Sequence, residues 1–410
     1  MRRVVVTGIG VVTPLGIGKA PNWEGVTTGR SGIGPITLFD PVRHDTKIAG
    51  EIKGLVPENY MEAKEVKRND RFLHLAMAAA WEALEEAGMA KGVPDPERVA
   101  VMYGVGIGGM LSFETQVQRL LEKGPGRISP FLIPQLITDT AAGFISIVYG
   151  FKGPNFDITS ACASGAHAIG ESYRAIKFGV CDAAVTGGVE AAVTPMGVAG
   201  FNALKALSTE NDLGPGASRP FDLNRSGFVI AEGGAVLVLE ELERARARGI
   251  PIYAEITGYG ATGDAFHVTA PCADGDGAMR AMKVAMAEAH LGPADIHYIN
   301  AHGTSTKYND RTETIAVKRA FGAQAARIPM SSTKGCTGHM LGGTGAVEAY
   351  FAIQAIRTGI IPPTINYETP DPECDLDCVP NTPRTARVVN AMSNNFGFGG
   401  HNASLIFSAI

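Results

Sequence analysis

One cysteine, two histidines and a lysine in this chain stand in settings that suit nucleophilic chemistry. The cysteine is Cys162, in Asp157-Ile-Thr-Ser-Ala-Cys-Ala-Ser-Gly-Ala-His-Ala-Ile-Gly170. The stretch predicts a short strand, a tight turn at Ser160-Ala161-Cys162, and a small-residue helix that runs on to Gly179. Such a strand-to-helix turn lifts one side chain out of a sheet, as the nucleophile elbow lifts its serine. Free N–H groups and the dipole at the helix start would favour a thiolate at Cys162.

The first histidine is His302, in Tyr298-Ile-Asn-Ala-His-Gly-Thr-Ser-Thr306, where an apolar strand ends and Gly303 follows. A histidine so placed is presented to a cleft. Lys334 and His339 share the Gly-rich run Ser331-Ser-Thr-Lys-Gly-Cys-Thr-Gly-His339, which enters a second small-residue helix carrying Glu348. Glu348 could pair with Lys334. The glycines also fit a phosphate cradle, but the Gly-Lys-Ser/Thr signature of a P-loop is absent. A fourth stretch, Ser393-Asn-Asn-Phe-Gly-Phe-Gly-Gly-His-Asn402, sets Phe396 and Phe398 among glycines.

The elements that must hold these residues alternate between strand and helix. Val4–Thr7, Val99–Tyr103, Asp182–Thr186, Gly234–Leu239 and Ile296–Asn300 read as strands. Arg71–Ala87, Glu240–Arg248, Ala278–Glu288 and Gly345–Thr358 read as helices. The pattern predicts an α/β protein with buried strands. The second half echoes the first. Val6-Thr7-Gly8-Ile9-Gly10 returns as Ile256-Thr257-Gly258-Tyr259-Gly260, and Ala163–Gly179 lies over Gly343–Gly359. A duplicated unit follows, with halves at 1–250 and 251–410 joined near Gly249-Ile-Pro251. The longer first half should carry insertions around 20–75, 105–150 and 195–225, where substrate contacts gather.

The 410 residues, 45% hydrophobic, can bury a large core. A net charge of -5 gives no case for bulk attraction to nucleic acid or membranes. Six scattered cysteines fit a reduced, cytoplasmic protein. Cys374 and Cys378 lack the second pair a zinc site needs, so no metal is expected. No apolar run is long enough to span a bilayer, and the apolar start is broken too early for a signal peptide.

Taken together, Ala161-Cys-Ala-Ser-Gly165, Asn300-Ala-His-Gly-Thr-Ser-Thr306, Lys334-Gly-Cys-Thr-Gly-His339 and Asn395-Phe-Gly-Phe-Gly-Gly-His-Asn402 resemble the β-ketoacyl-[acyl-carrier-protein] synthases. The resemblance runs through essentially the whole chain and is strongest to the elongating type II enzymes of bacterial fatty-acid synthesis. It implies the thiolase fold, a duplicated α-β-α-β-α architecture of five layers, and a homodimer. The implied reaction is a decarboxylating Claisen condensation between malonyl-acyl-carrier protein and an acyl chain held on Cys162. Substrates would arrive on the phosphopantetheine arm of acyl-carrier protein, with no organic cofactor.

By that resemblance His302 and His339 would stabilise the enolate, and the backbone N–H groups of Cys162 and Phe398 would form an oxyanion hole. Lys334 and Glu348 would hold the network. Phe398 would gate the acyl pocket with Phe396 in support. Ile107 would line that pocket, and Thr304, Thr306 and Thr269 the pantetheine tunnel. Acyl-carrier protein is acidic, so a basic docking patch is expected. Lys64, Lys67, Arg68 and Arg71 fall on one face if that segment is helical, and Lys205 joins them.

His401 departs from the family, where Thr is common. A type I elongating enzyme, a polyketide ketosynthase and a non-catalytic chain-length factor remain alternatives. The last of these lacks the nucleophile that is present here.

Overall fold

The computed structural model describes all 410 residues. Its frame is one architectural unit built twice. The first copy contains β1 (Val4–Thr13), α1 (Arg71–Glu86), β2 (Val99–Val105), α2 (Thr140–Tyr149), β3 (Asn155–Ile158), α3 (Ser164–Lys177), β4 (Ala183–Glu190) and β5 (Gly233–Glu241). The second contains β6 (Ala254–Gly263), α4 (Asp276–Ala289), β7 (Tyr298–Asn300), α5 (Lys307–Phe321), β8 (Met330–Ser331), α6 (Thr344–Thr358), β9 (Asn390–Gly397) and β10 (His401–Ser408).

Read outward from the middle of the molecule, the first copy orders its strands β1-β5-β4-β2-β3 and the second β6-β10-β9-β7-β8. Strand for strand, these are the same order. The directions repeat too: two antiparallel pairings come first, then two parallel ones. The copies join where Val4, Val5 and Val6 pair with Ile256, Glu255 and Ala254.

The glycines of the sequence echo have a packing reason. A Cβ on Gly8 or Gly10 would come within 2.2 and 1.9 Å of Ala83 and Ala79 carbonyls on α1. On Gly258 or Gly260 it would come within 2.2 and 1.9 Å of the Ala285 and Ala281 carbonyls on α4. Only glycine lets each first strand lie this close to its covering helix.

Helices α1 and α2 cover the first copy, and α4 and α5 cover the second. Between the two lie α3 and α6, packed against each other and touching strands of both copies. Their burial explains their small residues: α6 hides Gly345, Ala346, Val347, Ala349, Ala352 and Ala355. No helix is long and apolar enough to cross a membrane.

Three expectations need correction. Glu240 and Glu241 belong to β5, and the helix that follows is only Leu242–Ala247. Ile296 precedes β7 rather than opening it. The basic segment is not one helix. A four-residue helix, Ala63–Val66, ends at Lys67, and Asp70 starts α1 by accepting from the Phe72 N–H. That N-cap breaks the register that would have aligned Lys64, Lys67, Arg68 and Arg71.

Candidate active site

The turn before α3 bears the cysteine. Ala161 takes φ +51°, a strained left-handed conformation, and Ala161–Ala163 forms a single 3₁₀ turn. Ser164 braces it: its hydroxyl donates to the Ala161 carbonyl at 2.7 Å and accepts from the Ser160 N–H at 2.9 Å. The end of β9 lies flush against this turn. A Cβ on Gly397 would sit 2.7 Å from the Ser160 oxygen and 3.1 Å from the Cys162 nitrogen. This close approach points the N–H of Phe398 at the sulfur, beside the N–H of Cys162 itself.

His339 stands on the other side. Its Nε2 is 3.1 Å from Cys162 Sγ, and its Nδ1 is 3.0 Å from the hydroxyl of Thr344, the first residue of α6. His302 meets it edge to face, with ring centroids 5.4 Å apart. Sγ and a ring nitrogen from each histidine all lie within 4.8 Å of one another. Phe396 packs against His302 at 5.8 Å, and Phe228 against His339 at 5.1 Å.

The scaffold behind the rings is ionic and dry. Lys334 Nζ donates to the His302 carbonyl and to Glu348, which also accepts from Asn395 at 2.6 Å. Lys334 and Glu348 are each only 1% exposed. Glu313 on α5 accepts the N–H groups of His302 at 2.9 Å and Gly303 at 2.8 Å. His302 is thus held through its backbone from two directions, leaving its ring free to face the cavity.

Burial sets the protonation states. It pushes both imidazoles well below the ordinary histidine range, and the Lys334 charge pushes the same way. Both rings are neutral, the form that can donate one N–H without carrying charge. Burial also pushes the Cys162 thiol up to about 12, against the opposing effects of Lys334 and the two backbone N–H groups. This corrects the expectation of a resting thiolate. The cost of burying the charge outweighs Lys334 and the two N–H groups, which favours the thiol at rest.

A cavity of about 350 Å³ opens onto these groups. Cys162, His302, His339, Phe396 and Phe398 line its floor, and Thr304, Thr306, Thr269 and Lys205 line its walls. The hydroxyls of Thr304 and Thr306 bond each other at 2.9 Å. Ile107 does not line the cavity. It packs beyond Cys162 in an apolar cluster with Val193, Val198 and Leu341.

The predicted docking cations are dispersed. Arg71 forms a two-point ion pair with buried Glu232. Lys64 and Arg68 pair with Glu62 and Glu65. Lys67 and Lys205 are exposed. Sequence reasoning missed Thr344, Glu313 and Glu190. The two carboxylates have only backbone partners, and no motif announces those.

Residues 1–245 match the beta-ketoacyl synthase N-terminal domain and residues 253–368 its C-terminal domain. The chain belongs to the β-ketoacyl synthase family. It is 49% identical over 406 residues to 3-oxoacyl-[acyl-carrier-protein] synthase 2 of Synechocystis sp., covering 99% of this chain and 98% of that one. Among solved structures, a beta-ketoacyl synthase from Burkholderia phymatum superposes with a TM-score of 0.93 at 36% identity, each chain covered in full. A ketosynthase complex is also similar, with a TM-score of 0.91 at 33% identity and full coverage of both chains. It holds a type II polyketide acyl-carrier protein with its ketosynthase bound to the hexaketide. The duplicated architecture is that of the thiolase-like ketosynthases.

Proposed function

We propose that the chain is an elongating 3-oxoacyl-[acyl-carrier-protein] synthase, condensing malonyl-acyl-carrier protein with an acyl chain held on Cys162. The observation that carries this reading is the contact between Cys162 Sγ and His339 Nε2, with two backbone N–H groups and a second neutral histidine around the same sulfur.

In the first half-reaction Cys162 attacks the acyl thioester. His339 Nε2 takes the S–H proton as the C–S bond forms and returns it to the departing pantetheine thiol. The N–H groups of Cys162 and Phe398 hold the oxyanion. In the second, malonyl loses CO2, and its electron pair becomes an enolate held by N–H donors of His302 and His339. The enolate carbon attacks the Cys162 thioester, and the Cys162 thiolate departs. Donors aimed at charge that appears only on decarboxylation favour the transition state over bound substrate. His339 acts as acceptor in one step and donor in the other. The Thr344 hydroxyl at its Nδ1 can donate or accept, so it supports both tautomers.

Thr304, Thr306 and Thr269 offer hydroxyls to the amides of a phosphopantetheine arm. Lys205 at the cavity wall and exposed Lys67 serve acidic acyl-carrier protein, raising association rate more than affinity. Phe398, with Phe396 beneath it, gates the path toward Ile107. The protein works as a cytoplasmic homodimer. Its six cysteines are unpaired, the edge strand β3 exposes Phe156, and α2, packed against that strand, exposes Ile147. An uncovered apolar edge of this kind suits pairing with a second copy.

Intact-mass analysis after mixing with hexadecanoyl-acyl-carrier protein tests the reading. Wild type should gain one acyl mass and a Cys162→Ala variant none. Malonyl-acyl-carrier protein should then clear it and release the 3-oxoacyl product two carbons longer. A wild type that stays unacylated with short and long chains alike overturns the assignment.

A further inference from the structure

The turn before α6 repeats the turn before α3. Leu341 takes φ +47° where Ala161 takes +51°, and Leu341–Gly343 forms a 3₁₀ turn like Ala161–Ala163. Gly342 therefore stands where the first copy has Cys162. The strands that end beside the two turns correspond as well. Gly397 is the last residue of β9 and pairs with the first residue of β10; Glu190 is the last residue of β4 and pairs with the first residue of β5.

The outcome at the two turns differs. Beside Cys162 the strand ends in glycine, and the space in front of the turn is open to the cavity. Beside Gly342 it ends in Glu190, whose side chain is fully buried. Its carboxylate accepts from the N–H groups of Gly106 at 2.9 Å, Ile107 at 3.1 Å, Gly108 at 3.1 Å and Gly342 at 3.3 Å. A Cβ on Gly342 would lie 2.4 Å from the Gly106 nitrogen and 3.0 Å from the Glu190 carboxylate. The second turn is thus filled by the Glu190 carboxyl group.

We propose that Glu190 is a positioning residue: it occupies the vacant counterpart of the catalytic turn and thereby fixes the Gly106–Gly108 backbone that carries Ile107 beside Cys162. The loop has no polar side chain of its own to hold it there, and Gly108 is at φ +84°. Four N–H groups in one place form a nest for the two carboxyl oxygens, and they oppose the burial that raises this carboxyl to about 7. Gly106 also abuts the catalytic turn, its Cβ position 3.4 Å from the Ala161 carbonyl. A shift of the loop would move Ile107 relative to the sulfur without touching the reacting groups. The inference rests on the acyl-transfer reading above, since it concerns how deep a chain can lie beyond Cys162.

The test is the acylation rate of Glu190→Gln with hexadecanoyl- and butanoyl-acyl-carrier protein, followed by intact mass. The amide keeps the shape but turns an NH2 toward N–H donors. Long-chain acylation should fall about tenfold more than short-chain acylation, as expected for misplacement of a binding wall. An unchanged ratio overturns the proposal, because a general loss of folded protein lowers both rates alike. Gly342→Ala strikes the same contact from the other side and should shift the ratio in the same direction. Should neither variant fold, hydrogen exchange of the wild type decides. Amides 106–108 should be protected like those of β2, and exchange typical of an exposed loop overturns the proposal. A wild type that is never acylated refutes the functional reading instead.

Discussion

The turns at Ser160–Ser164 and Met340–Thr344 share a backbone and differ in nearly everything chemical. Both follow the third strand of their copy, both use a left-handed residue, and both lead into a helix of the central layer. One presents Cys162 beneath a cavity. The other presents Gly342 to Glu190 and no space at all. Yet the second turn is not idle. It supplies His339 just before the left-handed residue and Thr344 just after it, and both reach across to serve the first. Duplication made two equivalent turns, and packing against opposite strand ends separated them: one bears the cysteine, the other the histidine that reaches it.

The sharpest break of this comparison is to move the nucleophile. Cys162→Ala should lose acyl transfer by about 10⁴-fold or more. Adding Gly342→Cys in that background should restore nothing, because the new side chain meets Gly106 and Glu190 rather than a substrate. An acyl adduct on the double variant, seen by mass, would show the turns to be interchangeable.

Next in size is the reach between the turns. His339→Ala should slow acylation by about 10²- to 10³-fold, the usual worth of a placed base. Single-turnover acylation reads this directly, and a rate within twofold of wild type would mean that the sulfur is activated without the second copy.

Lys334→Met leaves Glu348 buried without its cation. Breaking such a pair costs about 3–5 kcal/mol, which thermal unfolding would register as a clear fall in Tm. A Tm equal to wild type would show that Asn395 alone satisfies Glu348.

The smallest expected effect is an absence of change. Because burial lowers both active-site imidazoles, protonation of the folded state is disfavoured and is pushed to a pH below the ordinary histidine range. In nitrogen-labelled protein the ring signals of His302 and His339 should stay flat from pH 8 down to about 6, while a histidine with the unperturbed pKa near 6.5 titrates there. A step near 6.5 for either ring would show that water reaches it.

The chemistry was legible in the sequence because it depends on residue type inside compact motifs. Cys162, His302, Lys334 and His339 each stand in a short run of small residues, and all four converge as expected. Helix α1 was legible from its apolar spacing. The basic face at residues 64–71 was not, since spacing assumes an unbroken helix and Asp70 caps a new one instead. The state of Cys162 was misjudged for a related reason. A helix start argues for a thiolate only where its stabilisation exceeds the cost of burying the charge, and burial is a property of the assembled core. Glu190 and Glu313 carried no readable signal because their partners are backbone N–H groups brought in by the fold; those of Glu190 lie 82 to 84 residues before it and 152 after it.

By itself the sequence determined which side chains the candidate site gathers, the alternation of strand and helix, and the duplication, since these follow from motif composition, periodicity and repeated glycines. Tertiary structure decided which of two like turns became the active one. That choice lies in what stands opposite each turn, Gly397 or Glu190, and only the packing of strand ends against turns brings those residues into contact.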